Sequence, residues 1–382
     1  MLPEIVFWIS LGAILYTYIL YPALIAVMVL LFSRKRARPD GDLPFVSIIV
    51  SLYNEERVLP LKLKNLSELD YPADRIEFLF GSDGSTDGTN RILEESTLPG
   101  LTLRAFPVRR GKVAVVNDLV PAAKGSVVVF SDANTLYQRG TVRRLVERIS
   151  EPGVGGVCGE LVLRSAAGNA AGRGEMSYWS YETLLKRWES ECGTILGATG
   201  GVYAIRRDLF APLPVDRPVV DDFLTPLQVV RRGYRMVYEP AAIAYEDASD
   251  SIGREFRRRV RIGAQDFGSI RYFADLLNPA RGFVAFALWS HKILRWCVPF
   301  LALAVLVTTV MLAGESGFYR WALIVELAVL AAAALGWLTE RLRLRVGILG
   351  VPYYFVAMNL ALFVGFLTFL TGRQKATWEV YR

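Results

Sequence analysis

Acidic side chains stand where short apolar runs stop. In FLFGSDGSTDGT (Phe78–Thr89), Asp83 and Asp87 follow an apolar run, in SDANT (Ser131–Thr135) Asp132 does, and in VVDDF Asp221 and Asp222 do. Lys112 lies behind a glycine in RRGKVAVVN (Arg109–Asn117). Such carboxylates can take a proton from a hydroxyl or give hard oxygen ligands to a divalent cation. A lysine at a helix start suits an anionic phosphate. Plainer roles stand beside these. Asp87 can cap the next helix, Asp221 and Asp222 can complement a helix dipole, and Lys112 can be a solvated lysine. Asp83 has no capping duty of this kind, which leaves it free to accept hydrogen bonds from a ligand.

The elements that must position these groups alternate. Apolar, β-branched runs at Phe45–Ser51, Ile76–Ser82, Leu101–Ala105 and Val127–Ala133 read as strands. Stretches after Glu56 to about Leu69, Asp87 to about Ser96, Val113–Ala123 and about Gly140–Ile149 read as helices. This order implies an α/β domain with parallel strands and right-handed crossovers. Ligands then sit beyond the carboxyl ends of the strands, where YNEE (Tyr53–Glu56), SDGSTDGT and SDANT all fall. Further on, GATGGVYAIRR (Gly197–Arg207) is glycine-rich before a short strand, and RMVYE (Arg235–Glu239) reads as another strand. Between about Ala171 and Ser190, Trp179, Tyr181, Leu184, Leu185 and Trp188 recur at helical spacing. They imply an amphipathic helix packed on the sheet or on a membrane, or an aromatic platform for a sugar.

Ile5–Ser33 has no charged residue, which exceeds the roughly 20 residues that cross a bilayer. It runs into basic Arg34–Arg38 and has no evident cleavage site, so it reads as an anchor with a cytoplasmic flank. Uncharged or nearly uncharged runs recur at Trp296–Ala313, Trp321–Leu338 (only Glu326) and Val346–Thr371. The resulting plan is a membrane helix over 1–33, a cytosolic domain over 44–265 and interfacial helices over 266–295. Membrane helices follow over 296–371, with a tail over 372–382. The basic loop Thr339–Arg345 and the basic tail cannot both be cytosolic if Val346–Thr371 crosses fully. That run is therefore re-entrant, bent near Pro352, or the charge bias fails for the short tail. The net charge of +7 follows membrane-flanking arginines and attraction to anionic lipid; it lacks the interleaved aromatics of a nucleic-acid groove, so no nucleic-acid partner is expected. Cys158, Cys192 and Cys297 are scattered, with no metal or disulfide spacing. The single histidine, His291, reads as an interfacial residue.

The ordered motifs PFVSIIVSLYNEE, SDGSTDGT, RGKVAVVN, FSDANT, GATGGVYAIRR, DDF and GYRMVYEP resemble the membrane-embedded inverting glycosyltransferases of family 2, which include cellulose, chitin and hyaluronan synthases. The resemblance covers about residues 44–265. It implies a GT-A (Rossmann-like) domain with a mixed, mostly parallel sheet, a nucleotide-sugar donor with UDP as the expected nucleotide, and Mg²⁺ or Mn²⁺. By the same resemblance Tyr53 and Glu55 flank the base and ribose, Asp83 contacts the uracil end, and Lys112 lies near the nucleotide. Asp132 and Asn134 answer to the metal-binding DxD, with Asn134 in place of the second acid. Asp222 is the general base, Asp221 stands where the motif has Glu, and Val220 where it has Thr. Thr199 and Gly200 border the acceptor. No covalent sugar-enzyme intermediate is implied, so no Ser, Cys or His nucleophile is needed.

One departure bears on the product. Processive synthases of the family carry QxxRW downstream of the base. Here REFRRRVRIGAQ (Arg254–Gln265) puts Arg259 at the motif arginine, Val260 at the tryptophan and Phe256 at the glutamine. The arginines can bind anionic headgroups as a membrane-surface helix, or Arg258 or Arg259 can close over a donor diphosphate, with Arg259 the choice for the site. The resemblance implies a multi-pass enzyme of the inner (plasma) membrane with a cytoplasmic catalytic domain. Its acceptor is a saccharide of cell-surface polysaccharide or exopolysaccharide, with polysaccharide-assembly proteins as possible partners. The alternatives are single-sugar transfer to a polyprenyl-linked lipid, favoured by the missing tryptophan, and a non-catalytic export subunit, disfavoured by intact Asp83, Asp132 and Asp222.

Overall fold

The structure, a computed structural model, describes residues 1–32, 42–164, 170–247, 252–342 and 349–372, with side chains from 179 onward in the helix that begins at Ala170. Two apolar helices open the chain, α1 (Leu2–Leu15) and α2 (Tyr21–Phe32), joined by a π turn. The α/β part then runs β1 (Val46–Leu52), α3 (Leu59–Ser67), β2 (Ile76–Asp83), α4 (Thr89–Glu94), β3 (Leu101–Phe106), α5 (Lys112–Ala122), β4 (Val127–Ser131), β5 (Leu136–Tyr137) and α6 (Thr141–Ile149). It continues through β6 (Val154–Arg164), α7 (Ala170–Cys192), β7 (Tyr203–Arg206), α8 (Asp221–Arg231) and β8 (Arg235–Asp247). One mixed sheet results, in the order β3-β2-β1-β4-β7-β6-β8-β5. β1 to β4 are mutually parallel, β7 runs antiparallel to β4 and β6, and β8 is parallel to β6.

β1 reads as an unbroken apolar run because helices cover both of its faces. Val46, Ile48, Val50 and Leu52 pack with Leu59 and Leu66 of α3 and Val142 and Leu145 of α6. Ile49 faces Val115 and Leu119 of α5 on the other side. Each fully buried side chain of this kind contributes about 1.5–3 kcal/mol. Close approach of α5 to β2 needs Gly81, where a Cβ would lie 2.2 Å from Val115 Cγ1 and 2.9 Å from Leu119 Cδ1.

After β8 come α9 (Ile252–Phe273), two 3₁₀ turns, α10 (Phe283–Ala287), a π turn, α11 (Leu294–Leu312), α12 (Gly317–Arg341) and α13 (Gly350–Leu370). Among the described residues, four helical stretches are long and apolar enough to cross a membrane: Leu2–Leu31, Phe283–Leu312, Gly317–Arg341 and Gly350–Leu370. Large apolar residues such as Leu30, Met311 and Trp321 are exposed on them, as side chains bathed in lipid would be. Glu326 inside α12 accepts a 2.9 Å hydrogen bond from Thr309 of α11. α9 packs directly on α13: a Cβ on Gly365 would lie 2.8 Å from the Val260 carbonyl, and one on Gly263 2.8 Å from Leu362 Cδ1.

Several expectations change. The second long apolar stretch begins at Phe283 and not at Trp296, so residues 283–295 are continuous with it. Pro352 sits in the first turn of α13, a single unbroken helix, so of the two readings of that run the one with a bend at Pro352 is not met within α13. His291 is 3% exposed, enclosed by protein side chains. Its Nδ1 lies 2.7 Å from Glu189 Oε1 and its Nε2 3.4 Å from Glu182 Oε1. The basic stretch Arg34–Arg38, residues 343–348 and the tail 373–382 lie outside the described residues.

Gly81→Ala should destabilise the α/β part by about 1–3 kcal/mol through overpacking, seen as a lower thermal midpoint of the full chain in detergent. An unchanged midpoint would contradict this account of the α5–β2 contact.

Candidate active site

Two strand-end loops are stapled to each other. After β1, Asn54 adopts a left-handed φ of 54°, which lets its amide meet the second loop. Its Oδ1 accepts the Thr86 N–H at 2.8 Å, and its own N–H donates to Ser85 Oγ at 3.1 Å. The Glu55 N–H donates to Thr89 Oγ1 (2.8 Å), and the Gly88 N–H to Glu56 Oε2 (2.8 Å). Asp87 accepts the Thr89 N–H at 3.0 Å, as a capping residue does. The Arg109 guanidinium lies 3.6 Å from the Tyr53 ring centroid, while Glu55 is buried.

Asp83 does have a structural duty, contrary to the sequence reading. It is fully buried, and its two oxygens accept the Arg110 and Gly111 N–H groups, each at 2.7 Å. This double bond to backbone donors fixes the turn that starts α5. Gly111, at φ 96°, occupies a conformation that side-chain-bearing residues rarely adopt. Lys112 is the first residue of α5 and is thereby aimed across the sheet edge.

There the predicted residues converge. Lys112 Nζ lies 2.9 Å from Asp132 Oδ1 and 3.2 Å from Asp221 Oδ2, the second an ion pair without hydrogen-bond alignment. A Cβ on Gly200 would lie 2.8 Å from Asp222 Oδ2 and 3.5 Å from Asp132 Oδ2, so both carboxylates face the same space beside that glycine. Burial works against the Lys112 ammonium, but Asp132, Asp221 and Asp222 outweigh it and hold the group charged well above its ordinary range. Burial likewise raises the Asp132 carboxyl, and Lys112, with help from Lys62 and Arg258, brings it below the usual value. Asp222 goes the other way. Burial and the neighbouring Asp221 and Asp132 push it up to about 6, against the pull of Lys112.

The other predicted residues are less direct. Asn134 is exposed in the turn after β4. Thr199 is buried, and its hydroxyl accepts from Lys186 Nζ at 2.9 Å, so it braces the wall next to Gly200. Arg259 is anchored through Nε to Glu255 Oε1 at 2.8 Å, and its charge bears on Asp266. Arg258 is the arginine whose charge bears on Asp132 and Glu246.

Four groups escaped the sequence reading. Lys62 of α3 is fully buried and donates to Ser131 Oγ (2.6 Å) and the Thr135 carbonyl (2.5 Å), bracing the turn that carries Asp132. Burial lowers its proton affinity to about 7, against the opposing effect of Asp132 and Glu246. Glu246 accepts from the Thr135 hydroxyl on the same turn. Lys186 reaches Thr199 from α7. Asp266 of α9 is pushed up to about 7 by burial and by Asp222, against Lys292 and Arg259. Lys62, Lys186 and Asp266 leave one trace in the sequence, a charge on the apolar side of an amphipathic helix, as with Lys62 among Leu59, Leu63 and Leu66, whereas Glu246 lies on a strand.

A divalent cation fits this donor set in one way. Among the described residues no three His, Cys, Asp or Glu side chains converge in a metal-binding cluster. Asp132 Oδ2, turned away from Lys112 toward the space at Gly200, offers one hard oxygen. That suits Mg²⁺ or Mn²⁺ completed by phosphate oxygens and water, and not a cage built by protein alone.

Residues 47–213 match the model of "Glycosyl transferase family 2". A "Probable glycosyltransferase YdaM" of Bacillus subtilis is 27% identical over 233 residues, 58% of this chain and 54% of that protein. A "Beta-monoglucosyldiacylglycerol synthase" of a Nostoc species is 31% identical over 176 residues, 44% of this chain and 37% of that one. The chain thus spans about half or less of these curated relatives. In the solved structure of mannosyltransferase PcManGT from Pyrobaculum calidifontis, in complex with GDP-Man and Mn²⁺, the fold recurs with a TM-score of 0.73 and 23% identity, over 97% of this chain and 99% of that one. The shared fold therefore takes in the apolar helices as well as the GT-A domain.

Lys62→Met removes both hydrogen bonds behind the Asp132 turn and should destabilise the chain by about 1–3 kcal/mol, measured as a lower thermal midpoint. A second outcome concerns pH. Asp266 has a folded value above its ordinary 3.8, so the folded chain keeps a proton that the unfolded chain loses. The stability tied to that proton is complete below about pH 3.8 and is lost as pH rises through about 7. Asp266→Asn should therefore raise the thermal midpoint at pH 8 and leave it near the parent value at pH 4; equal midpoints at pH 8 would contradict this.

Proposed function

This chain carries a glycosyl transferase family 2 domain over residues 47–213, and from that premise we propose that it is an inverting, cation-dependent membrane glycosyltransferase. It moves a hexose from a nucleotide-sugar donor to a saccharide acceptor in cell-surface polysaccharide assembly. The observation that carries the reading is the pair Asp132 and Asp222, both turned to the space beside Gly200, with Lys112 between Asp132 and Asp221.

The roles follow from this arrangement. Tyr53, Glu55 and the backbone held by Asp83 flank the nucleoside. Lys112 and Arg258 or Arg259 attract the diphosphate, since guanidinium and ammonium groups suit phosphate oxygens. Asp132, with Asn134 beside it, would hold the Mg²⁺ or Mn²⁺, which when bound neutralises charge on the departing nucleoside diphosphate. Asp222 takes the proton from the acceptor hydroxyl. Its raised value near 6 makes it a better proton acceptor than an ordinary carboxylate while leaving it ionised at neutral pH. Direct attack on the anomeric carbon then inverts it. The nucleotide is UDP on the motif resemblance, and the GDP-Man complex of the similar fold makes GDP-sugars the next to try.

A second reading keeps the same chemistry and changes the acceptor to a lipid-linked hydroxyl. Val260 in place of the synthase tryptophan favours it, as does a relative that makes a glucosyldiacylglycerol. In either case the four apolar stretches support a multi-pass protein of the plasma membrane, with the GT-A domain on the cytoplasmic side where nucleotide sugars are made.

The purified full chain should release nucleoside diphosphate from one member of a UDP- and GDP-sugar panel only when Mg²⁺ or Mn²⁺ is added. Asp222→Asn should lower the rate at least about a hundredfold with nucleotide binding retained, and the parent rate should fall as pH drops below about 6. Full turnover in Asp222→Asn would remove this residue as the base, and silence across the panel with no nucleotide bound would overturn the reading.

A further inference from the structure

Asp132 stands in a motif whose second acid is missing. Asn134 holds that place, uncharged and exposed in the turn after β4. Of the two Asp132 oxygens, Oδ1 is taken by Lys112 at 2.9 Å, and Oδ2 is left to face the space at Gly200. Small divalent cations beside phosphates draw on one or two carboxylates. The sheet brings a second carboxylate to the same turn.

The short strand β5 sets this arrangement through its pairing with β8. Leu136 lies opposite Tyr245 and Tyr137 opposite Ala244, antiparallel. One step further, the register puts Glu246 across from Thr135, and Glu246 Oε1 accepts from the Thr135 hydroxyl. The Thr135 N–H in turn donates to the Asp132 carbonyl at 3.2 Å and closes the turn. Two carboxylates far apart in the chain are thereby held at the one turn Asp132–Thr135.

Two adjacent glycines leave room for them. A Cβ on Gly200 would lie 3.5 Å from Asp132 Oδ2, and one on Gly201 would lie 2.8 Å from Glu246 Oε1 and against Thr135 Oγ1. Glu246 is half-buried. Its Oε1 is engaged by Thr135, and among the described residues no hydrogen bond or ion pair claims Oε2. Lys62 and Arg258 are the cations whose charge bears on both carboxylates. The Lys62 ammonium is spent behind the turn, on Ser131 Oγ and the Thr135 carbonyl.

We propose that Glu246 is the second carboxylate ligand of the divalent cation, doing from β8 what an acid at position 134 would do from the turn. The protein then gives the cation two oxygens, Asp132 Oδ2 and Glu246 Oε2, and leaves the remaining positions to phosphate and water. The proposal rests on the cation-dependent reading above.

Mn²⁺ is titrated into the full chain in detergent with UDP or GDP present, and free Mn²⁺ is read by electron paramagnetic resonance. Glu246→Gln keeps an oxygen for Thr135 and loses the charge; it should weaken Mn²⁺ binding at least about tenfold. Glu246→Asp keeps the charge but draws it back, so it should weaken binding as well, and it keeps the test open if Glu246→Gln fails to fold. Thr135→Val, which loses the hydrogen bond alone, should stay near the parent. Adding Asn134→Asp to Glu246→Gln should restore binding. Parent-like affinity in Glu246→Gln overturns the assignment. Parent-like affinity in Glu246→Asp does so too, because a remote charge would not notice the shortening. Equal weakening by Glu246→Gln and Thr135→Val would reduce Glu246 to a brace of the turn and overturn its role as a ligand. A parent that binds no Mn²⁺ with either nucleotide overturns the assignment and the cation dependence together. Mn²⁺ binding that Glu246 governs, in a chain that turns over no donor sugar, supports the ligand and overturns the transferase reading instead.

Discussion

Asp132, Asp221 and Asp222 crowd one half-buried end of a sheet, and the Lys112 ammonium is what lets them stay there. Without the ammonium, three carboxylates would face one another with no counter-charge between them. Lys112 can take this place only because Asp83 grips the two N–H groups before it. The charge balance is uneven. Asp132 and Asp221 touch the ammonium, whereas Asp222 is left with a raised proton affinity. Two adjacent residues of one helix start thereby acquire different chemistry from a single lysine on another element.

Elements whose sequence carried a local signal were legible. The apolar runs of β1 to β4 appear within a residue or two of their expected ends, and the polar clusters do lie together at the carboxyl edge. β6 escaped because GVGGVCGELVLR mixes glycines into an otherwise apolar run and shows no clean alternation; its partners come from far along the chain. Asp83 was misjudged because its partners are backbone N–H groups, which leave no mark on the side-chain sequence. Lys62 and Lys186 look like ordinary charges on amphipathic helices. Only the packing shows them turned inward, toward Ser131 and Thr199.

The union of the α/β part with the apolar helices is ionic as well as greasy. Glu189 of α7 accepts from the Tyr21 phenol at 2.6 Å and meets His291, and Glu182 meets both His291 and Arg295. Burial would raise the Glu182 carboxyl, but Arg295 and His291 outweigh it and hold the group well below the usual range. α7 is also the helix whose Lys186 braces Thr199. One helix therefore carries, within three turns, the tie to the apolar bundle and a support of the reaction wall.

The glycine contact between α9 and α13 leaves no slack. α13 is an apolar helix of 21 residues, long and apolar enough to cross a membrane, and where such a helix crosses, a thinner bilayer tilts it further. α9 must follow, because backbone meets backbone where Gly365 crosses Val260. The arginines of α9 ride on that motion, and the electrostatic setting of Asp132 and Glu246, to which Arg258 contributes, becomes a function of the lipid in which the protein lies.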